Sequence, residues 1–121
     1  MAYLEVKGLG KSFARGGGTL EVLSNVSLSV ERGELVAIVG YSGSGKTTLV
    51  SLLAGLMEPD TGSIVLDGKA VSAPGRDRAV VFQSYGLLPW MTVRQNVALA
   101  VDAGSPDLPK PERAALVDKY I

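Results

Sequence analysis

The residues best suited to chemistry lie between positions 40 and 48, where the chain reads Gly40-Tyr41-Ser42-Gly43-Ser44-Gly45-Lys46-Thr47-Thr48. A glycine, four intervening residues, a second glycine, a lysine and a hydroxyl residue make the pattern of a phosphate-binding loop. Glycines at 40, 43 and 45 let the backbone curl so that successive N–H groups, those of Tyr41, Ser42 and Ser44 among them, point inward at phosphate oxygens. Lys46 reaches the outer phosphates as a point charge, and the Thr47 hydroxyl is a ligand for the magnesium ion that bridges them. Thr48 assists through its hydroxyl or amide. The ligand implied is a nucleoside triphosphate, ATP, carried with Mg2+.

A glycine-rich turn can match that pattern by chance, so the elements around it matter. Leu35-Val36-Ala37-Ile38-Val39 is apolar at every position, as a central parallel strand requires. After the loop, the spacing of Leu49, Leu52, Leu53 and Leu56 predicts a helix from Thr47, weakened at Gly55 and stopped by Glu58-Pro59-Asp60-Thr61-Gly62. Strand, loop and helix therefore follow in the order that a phosphate site needs. Upstream, Tyr3, Leu4 and Val6, then Val26, Leu28 and Val30, alternate as half-buried strands do, with Gly16-Gly17-Gly18 between them. This predicts an antiparallel meander.

Downstream, residues 63–66, the turn Asp67-Gly68 and residues 69–71 read as a hairpin. Ala79-Val80-Val81-Phe82 is a second buried-strand run, ending in Gln83. Thr92 is a good N-cap for a helix striped by Val93, Val97, Leu99, Ala100 and Val101, which ends at Gly104. A proline-rich link over 105–111 precedes a segment from Glu112 to Ile121 that can start another helix. The fold class expected is α/β: a phosphate-loop core, with a parallel sheet and flanking helices, preceded by an antiparallel β meander.

Composition narrows the function. Of 121 residues, 12 are lysine or arginine and 12 aspartate or glutamate, so no global field draws the chain to nucleic acid or an anionic bilayer, and nucleic acid is not an expected partner. No apolar run approaches the roughly 18 residues needed to cross a membrane. The first residues lack the basic start and apolar block of a secretory signal. Cysteine and histidine are both absent, which removes disulfides and the usual soft metal ligands.

Taken together, the meander, an aromatic at Phe13, the phosphate loop, Gly62-Ser63-Ile64-Val65-Leu66-Asp67-Gly68 and Phe82-Gln83 occur in the order seen in the nucleotide-binding subunits of ATP-binding-cassette (ABC) transporters. The chain resembles that family from Tyr3 to its end. The resemblance implies that Phe13 stacks on the adenine ring, although tyrosine is more usual there and packing into the meander is the other use of that ring. It implies that Gln83 contacts magnesium and the attacking water, making Lys46 and Gln83 the catalytic residues and Thr47 and Gln83 the metal ligands. A polar cap at a strand end is the plainer reading of Gln83. The stretch Tyr85-Gly86-Leu87-Leu88-Pro89-Trp90-Met91-Thr92-Val93 falls where the family receives a short helix from its transmembrane permease subunits, while Trp90 fits a core position equally well.

Residues 73–83, with Leu87-Leu88-Pro89-Trp90, are similar to the nitrate, sulfonate and taurine importer branch, and nitrate or nitrite is closest through Asn96-Val97-Ala98-Leu99-Ala100-Val101-Asp102. The resemblance further implies a second ATP-binding subunit in a head-to-tail dimer, an indirect link to a solute-binding protein, and a peripheral place on the cytoplasmic face of the cell membrane. It divides the chain into an antiparallel β region (1–34), a phosphate-loop core with hairpin and glutamine loop (35–104), and the start of a helical subdomain (105–121). The family's Leu-Ser-Gly-Gly-Gln signature, catalytic glutamate and switch histidine are not among these 121 residues. The expectation is therefore the amino-terminal part of an ABC ATPase domain, a fragment or a truncated product, which binds ATP and hydrolyses little of it alone. A non-catalytic nucleotide-binding module and another phosphate-loop enzyme, such as a small-molecule kinase, are the alternatives.

Overall fold

A computed structural model describes residues 2–84 and 86–121. They form two compact units, residues 1–79 and 80–121. The first is built on a four-stranded antiparallel sheet. Strand β1 (Leu4–Arg15) pairs with β2 (Gly18–Val30) on one side and β3 (Thr61–Leu66) on the other, and β4 (Lys69–Ala70) completes the order β2-β1-β3-β4. Gly16 and Gly17, with φ of 55° and 82°, turn β1 into β2, and Asp67 and Gly68, at 48° and 78°, turn β3 into β4. Both are two-residue turns whose positive angles suit the twist of the strands they join. The expected meander and hairpin are thus one sheet.

Helix α1 (Lys46–Leu53) packs on this sheet. Its buried Leu49 and Leu52 join Val6, Leu9, Leu23 and Ile64 in the core of the unit. A side chain of this kind contributes about 1.5–3 kcal/mol when fully buried, so these six residues dominate the unit's stability. The helix stops earlier than the sequence suggests, at Leu53, so that Leu56 lies beyond it. Gly55 (φ 79°) lets its own N–H bond Leu52 O at 3.1 Å and the Leu56 N–H bond Ser51 O at 3.0 Å, which closes the last turn.

Residues 35–39, read as a central parallel strand, form no strand, and Leu35 is 96% exposed. Residues 79–82 likewise form no strand, with Val81 at 99%. The physical reason is common to both. An all-apolar run becomes a strand only beside a hydrogen-bonded neighbour, and among the described residues neither run has one.

In the second unit, α2 (Val93–Gly104) and α3 (Lys110–Tyr120) pack as an antiparallel helical pair joined by residues 105–109. Thr92 caps α2 with a full capping box: its Oγ1 accepts from the Gln95 N–H at 3.1 Å, and Gln95 Oε1 accepts from the Thr92 N–H at 2.8 Å. Pro111 stands in the first turn of α3, where its missing N–H costs nothing. Arg94 to Asp118 at 2.6 Å and Arg113 to Asp102 at 3.2 Å tie the helices together.

One tether in the first unit joins the end of the α1 segment back to β1. Asp60 Oδ2 accepts the Ser12 N–H at 2.7 Å, the Asp60 N–H donates to Gly10 O at 2.9 Å, and Lys11 Nζ lies 3.4 Å from Asp60 Oδ1. The Ser12 hydrogen bond, aided by the Lys11 charge, holds the Asp60 carboxyl below its ordinary value. A lowered folded value means the stabilisation is complete above the unfolded carboxylate pKa, about 3.9, and fades as pH falls through the folded value. Asp60→Asn is therefore expected to lower the Tm at neutral pH, with the gap between variant and wild type closing as the pH is taken below about 4 in thermal melts.

Candidate functional site

The phosphate loop is shaped by its neighbours in the first unit. Gly45 is the N-cap of α1 at φ 100°, and a Cβ there would stand 3.0 Å from Leu23 Cδ2 and 3.1 Å from both Val22 Cγ1 and Val22 O. Backbone angle and lack of space both demand glycine, so β2 presses directly on the end of the loop. Inside it, the Ser44 N–H donates to Tyr41 O at 3.2 Å, and Gly43 takes φ 81°.

Lys46 folds back over the loop that precedes it. Its Nζ donates to Gly40 O at 2.5 Å and Tyr41 O at 2.8 Å, and lies 3.3 Å from Ser44 Oγ. The ammonium is thereby held at the loop in place of swinging in solvent. No side chain caps the N-terminus of α1, and its first turn holds no acidic residue. The first backbone N–H groups of a helix have no partner within it, so the N-terminus of α1 presents unclaimed donors and the positive end of the helix dipole. Two contributions then meet at the loop: the helix N-terminus and a positioned lysine. Together they make an anion cradle suited to a polyphosphate.

Thr47 is exposed and Thr48 half-buried in the first turn of α1, so the Thr47 hydroxyl is free to ligate. Magnesium keeps most of its water and takes one or two protein oxygens with the phosphates, so a hydroxyl next to the cradle fits it without an acidic cluster. No cluster of three or more histidine, cysteine, aspartate or glutamate residues occurs among the described residues.

Phe13 stands near the far end of β1, opposite Leu20 of β2, while Lys11 stands opposite Leu23. The Leu20 to Leu23 stretch thus connects the aromatic to the residues that abut Gly45. Phe13 is 38% exposed and outside the core cluster, with Lys11 Nζ 5.5 Å from its ring centroid. That exposure leaves ring surface available to a flat partner.

Gln83 belongs to the second unit, where it is exposed and follows residues that form no strand. In the same unit Trp90 is 76% exposed, which decides against a core position. Tyr85, the first residue of the stretch read as a permease contact, lies outside the described residues. Sequence reasoning missed Asn96 as a structural hub. The Leu88 N–H donates to its Oδ1 at 2.8 Å, and its Nδ2 faces Leu88 O at 3.2 Å, Met91 O at 3.3 Å and Thr92 O at 2.9 Å. The only available signal was an asparagine in the first turn of a helix, where this residue type often bonds nearby backbone.

Comparison with known proteins agrees with this geometry. The family model for ABC transporters matches residues 23–120. Over 120 residues the chain is 47% identical to the bicarbonate transport ATP-binding protein CmpC of Synechococcus elongatus, covering 98% of this chain and 18% of that protein. It is 50% identical over 106 residues to the nitrate import ATP-binding protein NrtC of the same organism, covering 88% of this chain and 16% of that one. It is 42% identical to the nitrate import ATP-binding protein NrtD, also of Synechococcus elongatus, over 98% of this chain and 43% of that protein. The chain thus spans under half the length of these relatives. Among solved structures, the ATP-binding cassette MJ0796, in a dimeric post-hydrolysis state bound to ADP and Pi, superposes with a TM-score of 0.81 at 27% identity, covering 96% of this chain and 54% of that one. The antiparallel sheet, the phosphate loop leading into α1 and these matches make this chain a member of the ABC transporter family.

Proposed function

We propose that this chain contributes the nucleotide-binding part of an ABC importer, and that ATP bound at residues 40–48 powers uptake of a small inorganic anion of the nitrate or bicarbonate class. The observation that carries the reading is the loop itself. Lys46 is already held by Gly40 and Tyr41, so a polyphosphate meets an ordered ammonium beside the N-terminus of α1. The anion class rests on relatives that are named for nitrate and bicarbonate transport. Both ions are small, flat and singly charged. Nothing in the loop selects between them, since in this family other subunits bind the solute.

In this reading main-chain amides of residues 41–48 bind the phosphate chain, that of Ser44 giving up Tyr41 O to do so, Lys46 neutralises its outer end and Phe13 stacks on the adenine. Thr47 would offer its hydroxyl to Mg2+, which supplies charge neutralisation at the outer phosphates when bound, and the family resemblance makes Gln83 a Mg2+ contact of the assembled transporter. Gln83 would also orient the attacking water by its amide oxygen. The exposed Leu87, Trp90 and Val93 form the face offered to a permease subunit, because an apolar helix buries such side chains well. A second ATP-binding subunit, facing this one head to tail, would close over the γ-phosphate. A solute-binding protein joins through the permease, and the assembly sits at the cytoplasmic face of the membrane. No helix among the described residues is long and apolar enough to cross a membrane. Turnover is assigned to the whole transporter, with residues 1–121 binding ATP and hydrolysing little of it unaided.

Two substitutions test the site. Lys46→Ala is expected to weaken MgATP binding by about 10- to 100-fold in calorimetry, the loss of charge-assisted hydrogen bonds worth roughly 1.5–3 kcal/mol. Unchanged affinity would remove the assignment. Phe13→Ala is expected to weaken ATP by about tenfold or more through lost stacking, while leaving tripolyphosphate affinity and the Tm nearly unaltered. Equal losses for both ligands would mean that Phe13 serves the fold and not the base.

A further inference from the structure

We propose that Asn96 is a positioning residue that fixes the loop of residues 87–91 in the shape a permease subunit docks on. The inference rests on the docking reading given above. Its carrier is the way one half-buried side chain gathers the loop's backbone. Asn96 Oδ1 accepts from the Leu88 N–H at 2.8 Å, while Nδ2 faces the carbonyls of Leu88, Met91 and Thr92 at 3.2, 3.3 and 2.9 Å. An amide is matched to this task. It offers an acceptor to the single N–H and donors to the carbonyls, and reversing it would set donor against donor and oxygen against oxygen.

Helix capping does not account for the arrangement. Thr92 and Gln95 already close the N-terminus of α2 as a capping box, so Asn96 is spare for that purpose. Its side chain reaches eight residues back, to Leu88. The Met91 N–H also donates to Leu88 O, at 3.1 Å, closing a turn around Pro89 and Trp90. Leu88 and Met91 are half-buried as a result, and Trp90 is left at the tip with little packing of its own, at 76% exposure. A large apolar side chain is thus presented to solvent on a loop held by hydrogen bonds. Ordering such a loop before binding removes a cost that docking would otherwise bear.

Trp90 is the one tryptophan in the chain, so its fluorescence reports on this loop alone. Asn96→Asp keeps the acceptor for Leu88 but turns an oxygen toward three carbonyls. In time-resolved anisotropy it is expected to give Trp90 a fast depolarising motion that wild type lacks, with far-UV circular dichroism unchanged. Gln95→Ala, which weakens the cap and spares the clamp, is expected to leave Trp90 as slow as in wild type. Should the carboxylate unfold α2, Asn96→Ser removes the reach without adding charge and gives the same readout. Co-purification with detergent-solubilised cognate permease subunits is the second arm, with Trp90→Ala as reference. Weakening of assembly by about tenfold in both Trp90→Ala and Asn96→Asp supports the proposal. An anisotropy decay that stays slow in the Asn96 variants overturns it. So does normal assembly of Asn96→Asp when Trp90→Ala assembles poorly, a result that leaves the docking reading standing. Normal assembly of Trp90→Ala removes the docking reading and the proposal with it.

Discussion

The structure turns on the close approach of β2 to the phosphate loop at Gly45. Val22 and Leu23 leave no room for a Cβ there, and the backbone takes an angle that other residues avoid. Because Leu23 is also part of the core with Leu49 and Leu52, burial of α1 and the curl of the loop are set by the same contact. The hydrophobic energy of the core thus holds open an arrangement of amides that would otherwise prefer water or one another. Lys46 completes it by spending its hydrogen bonds on Gly40 and Tyr41, which aligns the charge before any ligand arrives.

The antiparallel sheet supports the site at longer range. β1 lies between β2 and β3 as far as Gly10, and beyond that point, where Phe13 stands, it pairs with β2 alone. Asp60 adds a local tie by accepting the Ser12 N–H, next to Phe13, and by drawing Lys11 across. The second unit has a different economy. Val117 is its one buried apolar residue among those described, and its order comes from a capping box, two ion pairs and the Asn96 network. Polar ties of this kind hold a surface in shape without hiding its apolar side chains.

How much of this was legible in the sequence depended on how local the cause was. The turn from the glycine loop into α1, the Asp67-Gly68 hairpin and the cap at Thr92 all have causes within a few residues, and each forms as its residues suggest, whereas α1 ends at Leu53, a few residues short of its predicted stop. Residues 35–39 and 79–82 have the composition of buried strands, yet pairing is a property of two segments, and no neighbour lies alongside them among the described residues. The bond from Ser12 to Asp60 spans 48 residues, and Asn96 acts on a loop that precedes its own helix, so neither is visible in a local pattern. Trp90 was undecidable for a related reason: an aromatic's burial depends on what packs over it.

The central claim is that main-chain amides of residues 41–48, aided by Lys46, grip a polyphosphate. Amide NMR shifts recorded while MgATP is titrated into the isotope-labelled chain test it most directly. The account predicts large, saturable movements at Gly43, Gly45, Lys46 and Thr47, with those of α3 left in place. Still amides in the loop, or equal displacement spread over both units, would contradict it.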